Sequence, residues 1–354
     1  MTHAEEVMNQ FSKPSLFIVG YMHSGTSLLQ QLIANHPDVY SPPGEVKLIE
    51  YLSALPGIED ESSSDLAEFY LNCIYNGVKF SKFVGVEKKF TNSEFECLRM
   101  LEFSKDHLMN FFHCLNALRE LHGKRFWLEK SPNNIFYSDL ITKYVSNPKF
   151  IGIVRDSRDV VASKKTRQAT IHSGRYREDQ IPLKKLEKHS APLLDAYSWR
   201  STTREILRKS KSHPGSFALV QYEELVSQPE QKVRDIFSFV DLPFDERVLE
   251  FSFSNAADPN QKQNNGISKA AVGRYKKVLS AAEICAVQWI TSKELRRLEL
   301  DRCAFPVTVR FKAVFLFLRL PYDIAVRLFK RFKMLGRGNF KSFLKTVLRK
   351  LKSV

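Results

Sequence analysis

The chain has 354 residues, enough for one large α/β domain or two small ones, and its hydrophobic (43%) and charged (26%) fractions are ordinary for a globular protein. Five cysteines without a CxxC pair argue against a disulfide framework and a zinc site, and they fit a reducing compartment. Residues 307–354 hold 13 Lys/Arg and one acid, +12 of the net +15, so the remaining +3 gives no basis for nucleic-acid binding by the main domain.

The first predicted elements are a strand, a glycine turn and a helix. Residues 16–19 (LFIV) have the length and composition of a buried strand. Residues 20–25 form the turn, and residues 26–33 repeat apolar side chains at helical spacing. This order directs backbone N–H groups and a helix N-terminus at one point, where a phosphate can bind.

The turn resembles the nucleotide-binding loop GxxxxGK[ST] in its spacing. Gly20 and Gly25 occupy the glycine positions and Ser27 the Ser/Thr position, but Thr26 stands where an NTPase has its lysine. Because that lysine contacts the β- and γ-phosphates, its loss suggests a ligand with a phosphate to hold and no triphosphate to cleave. An alternative is that the glycines serve packing only.

The next candidate is Glu45, which follows the rigid turn Pro42-Pro43-Gly44. A carboxylate near the phosphate loop can act as a general base on an incoming hydroxyl group. The alternative is an exposed loop glutamate without a catalytic role.

Four more apolar runs predict buried strands, and helical patterns at 106–121 and 193–208 lie between them. Alternating strands and helices predict a parallel sheet covered on both faces, with ligands bound outside the carboxyl ends of the strands. Each run is followed by polar or charged residues, which places the candidate site at that edge. The runs are 83–86, 125–128, 150–154 and 217–220.

Two cations at strand ends are further candidates. Lys130 follows one strand, and Arg155 follows another and is well placed to bind an anion. Ser163 lies eight residues after Arg155, about two turns along the predicted helix. The alternatives are a solvated lysine at 130 and a surface ion-pair cluster formed by residues 155–159.

Together these stretches, over about residues 14–280, resemble the sulfotransferases that use 3′-phosphoadenosine 5′-phosphosulfate (PAPS). The resemblance is closest to the carbohydrate-type and bacterial members, and it implies a P-loop-like parallel β-sheet flanked by helices. The stretches are GYMHSGTSLL (20–29), PPGEVKLIEY (42–51), LEKSPNNIF (128–136), IVRDSRDVVAS (153–163), YEEL (222–225) and VGRYKK (272–277).

The resemblance also implies roles for single residues, with PAPS as cosubstrate and no metal. The implied catalytic residues are Glu45 as base, with Lys130 and His23 stabilising the leaving group. Residues implied to bind the 5′- and 3′-phosphates and to close over the nucleotide are His23, Ser24, Gly25, Thr26, Ser27, Leu28, Arg155, Ser163, Tyr222, Gly273 and Arg274.

One position departs from the family pattern. Most members carry Arg or Lys two residues before the second glycine of the loop, where this chain has His23. An ordinary imidazole would change its charge near neutral pH. Two other classes are alternatives: a P-loop kinase or NTPase, and a non-catalytic nucleic-acid or membrane adaptor built on a nucleotide-binding fold, which the basic tail would permit.

The basic tail divides the chain into a predicted domain at 1–306 and a tail at 307–354. Segments such as 322–335 are typical of basic amphipathic helices that lie on an anionic membrane, and the run 313–318 is too short to span one. With the segment around Glu45, which resembles the carbohydrate-type members, this favours a sugar or glycolipid acceptor. The alternative is a non-sugar hydroxyl group, on a phenol, a tyrosine or a lipid. The N-terminal residues have no apolar segment, so we expect a cytoplasmic protein, peripheral at the membrane. The alternatives for the tail are packing on the domain and a subunit contact.

Overall fold

Five parallel strands form the central sheet. A computed structural model describes residues 15–52, 61–77, 89–173, 190–250 and 267–329, with residues 55, 57, 58, 252, 253, 264, 265 and 332. The strand order is β2-β3-β1-β4-β5, and all four neighbouring pairs are parallel. The strands are β1 (Ser15–Gly20), β2 (Val39–Tyr40), β3 (Phe126–Lys130), β4 (Lys149–Val154) and β5 (Phe217–Gln221).

The sheet confirms the predicted α/β fold class. The runs 16–19, 125–128, 150–154 and 217–220 correspond to β1, β3, β4 and β5. The remaining predicted run, 83–86, lies outside the described residues. Two further strands, β6 (Ser252–Phe253) and β7 (Asn264–Asn265), form a separate antiparallel pair.

Helices cover both faces of the sheet, and local capping explains where several begin. Thr91 and Ser280 each form a capping box with the glutamate three residues later, and Asp106 accepts two backbone N–H groups. The helices are α1 (Thr26–Ala34), α2 (Leu48–Tyr51), α3 (Ser63–Asn76), α4 (Asn92–Arg99), α5 (His107–Leu121), α6 (Ser138–Ile141), α7 (Ser157–Ser173), α8 (Pro192–Ser212), α9 (Tyr222–Ser227), α10 (Pro229–Phe239), α11 (Tyr275–Val278), α12 (Ala281–Arg297) and α13 (Val307–Leu318). Short 3-10 helices occupy Pro132–Tyr137, Glu246–Leu249 and Lys269–Ala271.

The hydrophobic core lies on both sides of the sheet because successive strand side chains point to opposite faces. On one face Phe17 stacks on Phe150 at 5.0 Å and meets Trp127 edge-on at 5.2 Å. On the other face, Ile18 and Leu128 pack in a second apolar cluster. Burial on both faces explains why these strands appear in the sequence as continuous apolar runs.

The tail begins with α13, and residues 320–329 are also helical. Ala313 of α13 is fully buried in a cluster with residues of α12. The alternative that the tail packs on the domain is therefore correct for one face of this helix. Within the described ranges no helix has both the length and the apolarity needed to cross a bilayer.

Candidate active site

The turn between β1 and α1 forms the floor of the site. Gly25 is the N-cap of α1 in a left-handed conformation (φ 98°), and no side chain caps the helix. The amide of Ser24 donates to the Tyr21 carbonyl at 3.1 Å, so it serves the turn itself. The Ser24 hydroxyl is buried and has no hydrogen-bond partner among the described residues. An uncapped helix N-terminus beside a buried free hydroxyl group suits an anion.

Close packing explains both glycines of this turn. A Cβ atom on Gly20 would lie 2.8 Å from the Ile153 carbonyl oxygen. A Cβ atom on Gly25 would lie 2.5 Å from Cδ2 of Tyr222, whose ring rests against the turn. The glycines therefore serve packing, and that packing also brings the predicted site residue Tyr222 onto the loop.

Three predicted residues meet above this turn at the carboxyl ends of the strands. Lys130 Nζ lies 3.5 Å from Ser27 Oγ and 3.6 Å from Glu45 Oε1. The Lys130 side chain is only 4% exposed, so the alternative of a solvated lysine is wrong. Burial lowers the pKa of Lys130, and the charge of Glu45 acts in the opposite direction.

Glu45 is held by two lysines. Its Oε2 forms an ion pair with Lys47 Nζ at 2.7 Å, and its side chain is 29% exposed. Burial alone would raise the pKa of Glu45, but Lys130 and Lys47 outweigh it and leave that pKa lowered. The carboxylate is thus ionised at neutral pH and partly open to solvent, unlike a freely exposed loop glutamate.

His23 differs from its expected behaviour. Its backbone is left-handed (φ 68°), and its Nδ1 lies 3.2 Å from Ser163 Oγ. Burial, followed by the charges of Lys164 and Arg167, lowers the pKa of His23 to about 4. The imidazole is therefore neutral at physiological pH, and the expectation that its charge changes near neutrality is wrong.

Arg155 cross-links the site. Its guanidinium donates to the His23 carbonyl at 3.2 Å and to the Ala271 carbonyl, and it stacks 4.5 Å from the centre of the Tyr222 ring. Its Nε is buried without a partner among the described residues. Arg155 and Ser163 thus both contact His23, and two of the Arg155 nitrogens bind backbone carbonyls.

The alternative of a surface ion-pair cluster at residues 155–159 is correct about the ion pairs and wrong about the surface. Arg158 pairs with Asp156 at 2.5 Å and Arg155 lies 4.0 Å from Asp159, but these side chains are buried. Asp159 accepts the backbone N–H groups of Gly273 at 2.7 Å and Tyr275 at 2.8 Å. This places the predicted residues Gly273 and Arg274 on a turn tied to α7. Burial raises the pKa of Asp159, while Arg155 lowers it.

Sequence reasoning missed Glu129, a buried carboxyl group beside the site. Ser131 donates to Glu129 Oε1 at 2.5 Å, Asn134 donates to Oε2 at 2.7 Å, and the Lys47 amide donates to Ser131 Oγ at 2.9 Å. Burial raises the pKa of Glu129 to about 7. The only sequence signal was its place next to Lys130 at a strand end.

A second missed cluster surrounds Asp195 on α8. Lys164 Nζ lies 2.5 Å from Asp195 Oδ1 and 3.0 Å from the Tyr21 hydroxyl, and Arg327 of the tail lies 2.6 Å from the same carboxylate oxygen. Burial would raise the pKa of Asp195, but Lys164 and Arg327 outweigh it and lower that pKa. The tail therefore contacts the wall of the site.

Two observations concern metals and thiols. All five cysteines are free thiols. In the part of the chain that the structure describes, no group of three or more His, Cys, Asp or Glu side chains is arranged to hold a metal ion.

Comparison with known sequences identifies a matching family and several distant relatives. A model described as "Sulfotransferase family" matches residues 14–246. An uncharacterized protein of Aquifex aeolicus (strain VF5) is 24% identical over 244 residues, 68% of this chain and 27% of that protein. A putative protein-tyrosine sulfotransferase of Caenorhabditis elegans is 28% identical over 120 residues, 34% of this chain and 41% of that protein. The matched regions thus span less than half of either relative.

Solved structures share the fold. The sulfotransferase domain of the Synechococcus PCC 7002 olefin synthase has a TM-score of 0.54 at 20% identity, covering 82% of this chain and 96% of that domain. The sulfotransferase domain from the curacin biosynthetic pathway has a TM-score of 0.51 at 18% identity, covering 81% of this chain and 98% of that domain.

Proposed function

This chain belongs to the sulfotransferase family, and from that membership we propose that it transfers a sulfuryl group from PAPS to a hydroxyl group of an acceptor. The observation that carries the proposal is the meeting of Lys130, Ser27 and Glu45 at the uncapped N-terminus of α1. A phosphate-binding turn, a fixed cation and an ionised carboxylate are the three groups that such a transfer needs within reach of one another.

The site residues fit the donor in two places. The first turn of α1 and the free hydroxyl of Ser24 suit the 5′-phosphate, since both offer unused donors. Ser163 and the unpartnered Nε of Arg155 suit the 3′-phosphate. On this arrangement the 3′-phosphate distinguishes PAPS from ATP, and Thr26 in place of the P-loop lysine disfavours the kinase alternative.

The proposed reaction is an in-line displacement at sulfur. Glu45 accepts the proton of the acceptor hydroxyl group while that oxygen forms a bond to sulfur. The bond from sulfur to the bridging oxygen breaks, and its electron pair stays on the 5′-phosphate of the product nucleotide. Lys130 stabilises the charge that develops there. His23, which is neutral at physiological pH, orients Ser163 and supplies no fixed charge.

We propose a carbohydrate or glycolipid as the acceptor, because the segment around Glu45 resembles the carbohydrate-type members. A peptide tyrosine is the second candidate, which the putative protein-tyrosine sulfotransferase among the relatives favours. Transfer of radiolabelled sulfate from PAPS to oligosaccharides, glycolipids and tyrosine peptides in parallel distinguishes the two.

The first test is calorimetric titration with adenosine 3′,5′-bisphosphate, AMP and ATP. We expect the bisphosphate to bind much more tightly than AMP. Ser163→Ala should weaken bisphosphate binding roughly 10- to 150-fold, because a hydrogen bond to a charged group contributes about 1.5–3 kcal/mol, and AMP binding should not change. Ser198→Ala, which removes a hydroxyl group that bonds within α8, is the matched control. Equal affinity for the bisphosphate and AMP would refute the proposal.

The second test separates chemistry from binding. Glu45→Gln should lower kcat by about 10²–10⁴-fold and leave bisphosphate affinity within about twofold, as expected for loss of a general base. Glu50→Gln is the matched control, since Glu50 lies on the same segment and accepts from Asn133 at 2.7 Å. Full activity of Glu45→Gln would remove Glu45 as the base.

A further inference from the structure

The helical start of the tail, residues 307–329, has two apolar faces. The inward face contains the buried Ala313 and the half-buried Val309, Leu316 and Leu320, which pack against the cluster around α12. The outward face repeats large apolar side chains at intervals of three or four residues. We propose that this outward face docks on an anionic lipid surface.

Polar contacts hold the helix in place on the domain. Arg327 pairs with the buried Asp195 at 2.6 Å. Arg319 donates to the Ser190 carbonyl oxygen at 3.3 Å. The inward face of this helix is therefore already packed and ion-paired against the domain. The outward side chains remain exposed in that position.

The outward stripe consists of Val307, Phe311, Val314, Phe315, Leu318 and Tyr322. On a helix these positions fall within an arc of roughly 100°. Val307 is 78% exposed, Phe311 65%, Leu318 73% and Tyr322 65%. A contiguous exposed apolar stripe of this kind marks an interaction surface, whereas single exposed apolar residues do not.

Charge identifies the occupant. Residues 307–354 carry +12 of the net +15, and the exposed Arg310 and Lys312 flank the stripe on its two sides. A second copy of the chain would bring the same positive charge to the contact and be repelled. Nucleic acid would satisfy the charge but leave the phenylalanines in water. An anionic bilayer surface offers both negative headgroups and an apolar layer in which Phe and Leu side chains can sit.

The test is vesicle flotation of the full chain without donor or acceptor, so it is independent of the proposed enzymatic activity. We expect binding to phosphatidylcholine vesicles with about one quarter phosphatidylglycerol, and little binding to phosphatidylcholine alone. The double variant Phe311→Ser/Leu318→Ser should bind at least about tenfold more weakly. Lys312→Gln should bind roughly fivefold more weakly, and added salt should reduce that difference.

The matched control is Met100→Ser, which removes a 79% exposed apolar side chain outside the tail. Equal binding of the double variant and the unsubstituted protein would overturn the proposal, as would equal binding to neutral and anionic vesicles. A second copy as occupant would appear in light scattering as a dimer that the double variant converts to monomer, and this too would overturn it.

Discussion

Glu129 gives the sharpest test of the site's electrostatics. Its pKa is about 7 in the folded protein against an ordinary value of 4.5. Between these pH values the folded protein keeps a proton that the unfolded chain releases, so the free energy of unfolding falls as pH rises. At 1.36 kcal/mol for each pKa unit, the loss is at most about 3 kcal/mol. His23 has the opposite pH dependence. Its pKa is about 4 in the folded protein, so below pH 6.5 the unfolded chain takes up a proton that the folded protein does not, and the free energy of unfolding decreases as pH falls.

The perturbation is Glu129→Gln. The glutamine oxygen keeps the bond from Ser131, and Asn134 can rotate its amide so that Oδ1, which has no partner among the described residues, accepts from the new NH₂ group. The variant's unfolding free energy relative to the unsubstituted protein should therefore rise by up to about 3 kcal/mol between pH 4.5 and about 7.5.

The assay is urea unfolding at a series of pH values, followed by tryptophan fluorescence, with Trp127 buried two residues from Glu129. Taking the difference between variant and unsubstituted protein cancels the contribution of His23. Glu230→Gln, at an exposed i,i+4 ion pair on α10, is the control and should give a small, pH-independent difference. A constant difference for Glu129→Gln would show that Glu129 ionises normally and refute the reasoning.

Three further predictions rest on other contacts. Gly25→Ala should destabilise the protein by at least about 1–2 kcal/mol and weaken bisphosphate binding, because φ is 98° and the new Cβ would strike Tyr222; an unchanged melting temperature would contradict this. Lys165→Met should lower the free energy of unfolding, measured in urea, by about 3–5 kcal/mol, because it leaves the buried Glu283 without its ion-pair partner. The double variant Lys165→Met/Glu283→Gln should recover most of that loss. Equal losses in the single and double variants would show that packing is responsible instead. The His23 ring signals in NMR should stay those of a neutral imidazole down to about pH 4, and a midpoint near 6.5 would contradict the burial argument.

Strands buried on both faces were predictable, because burial demands an uninterrupted apolar run. The runs at β1, β3 and β4 are of this kind, whereas β5 is an apolar run at the edge of the sheet with Leu219 exposed. β2 contains only Val39 and Tyr40, too few residues to produce a pattern, and its existence depends on pairing with β3. The sheet's shortest strand could therefore not be predicted from local sequence.

The candidate site was also predictable only in part, where the local sequence determines the position of a residue. Ser27, Glu45 and Lys130 were predicted to meet because strand ends share one edge of a parallel sheet, and their side chains do meet. The lowered pKa of His23 depends on burial and on Lys164, 141 positions away in the sequence. Asp159 likewise binds the backbone at Gly273. No local pattern contains such contacts, since the fold alone brings these residues together.

The position of β1 at the centre of the sheet has a consequence for biosynthesis. Ile18 pairs with Lys130 on one side and Ile151 on the other, so its nearer partner is 112 positions later in the chain. At a synthesis rate of about 5–20 residues per second, the apolar β1 waits roughly 6–22 s for a neighbour. During that interval neither edge of β1 has a partner strand, so we expect chaperones to bind the nascent chain early in translation, before the turn at residues 20–25 is held in place.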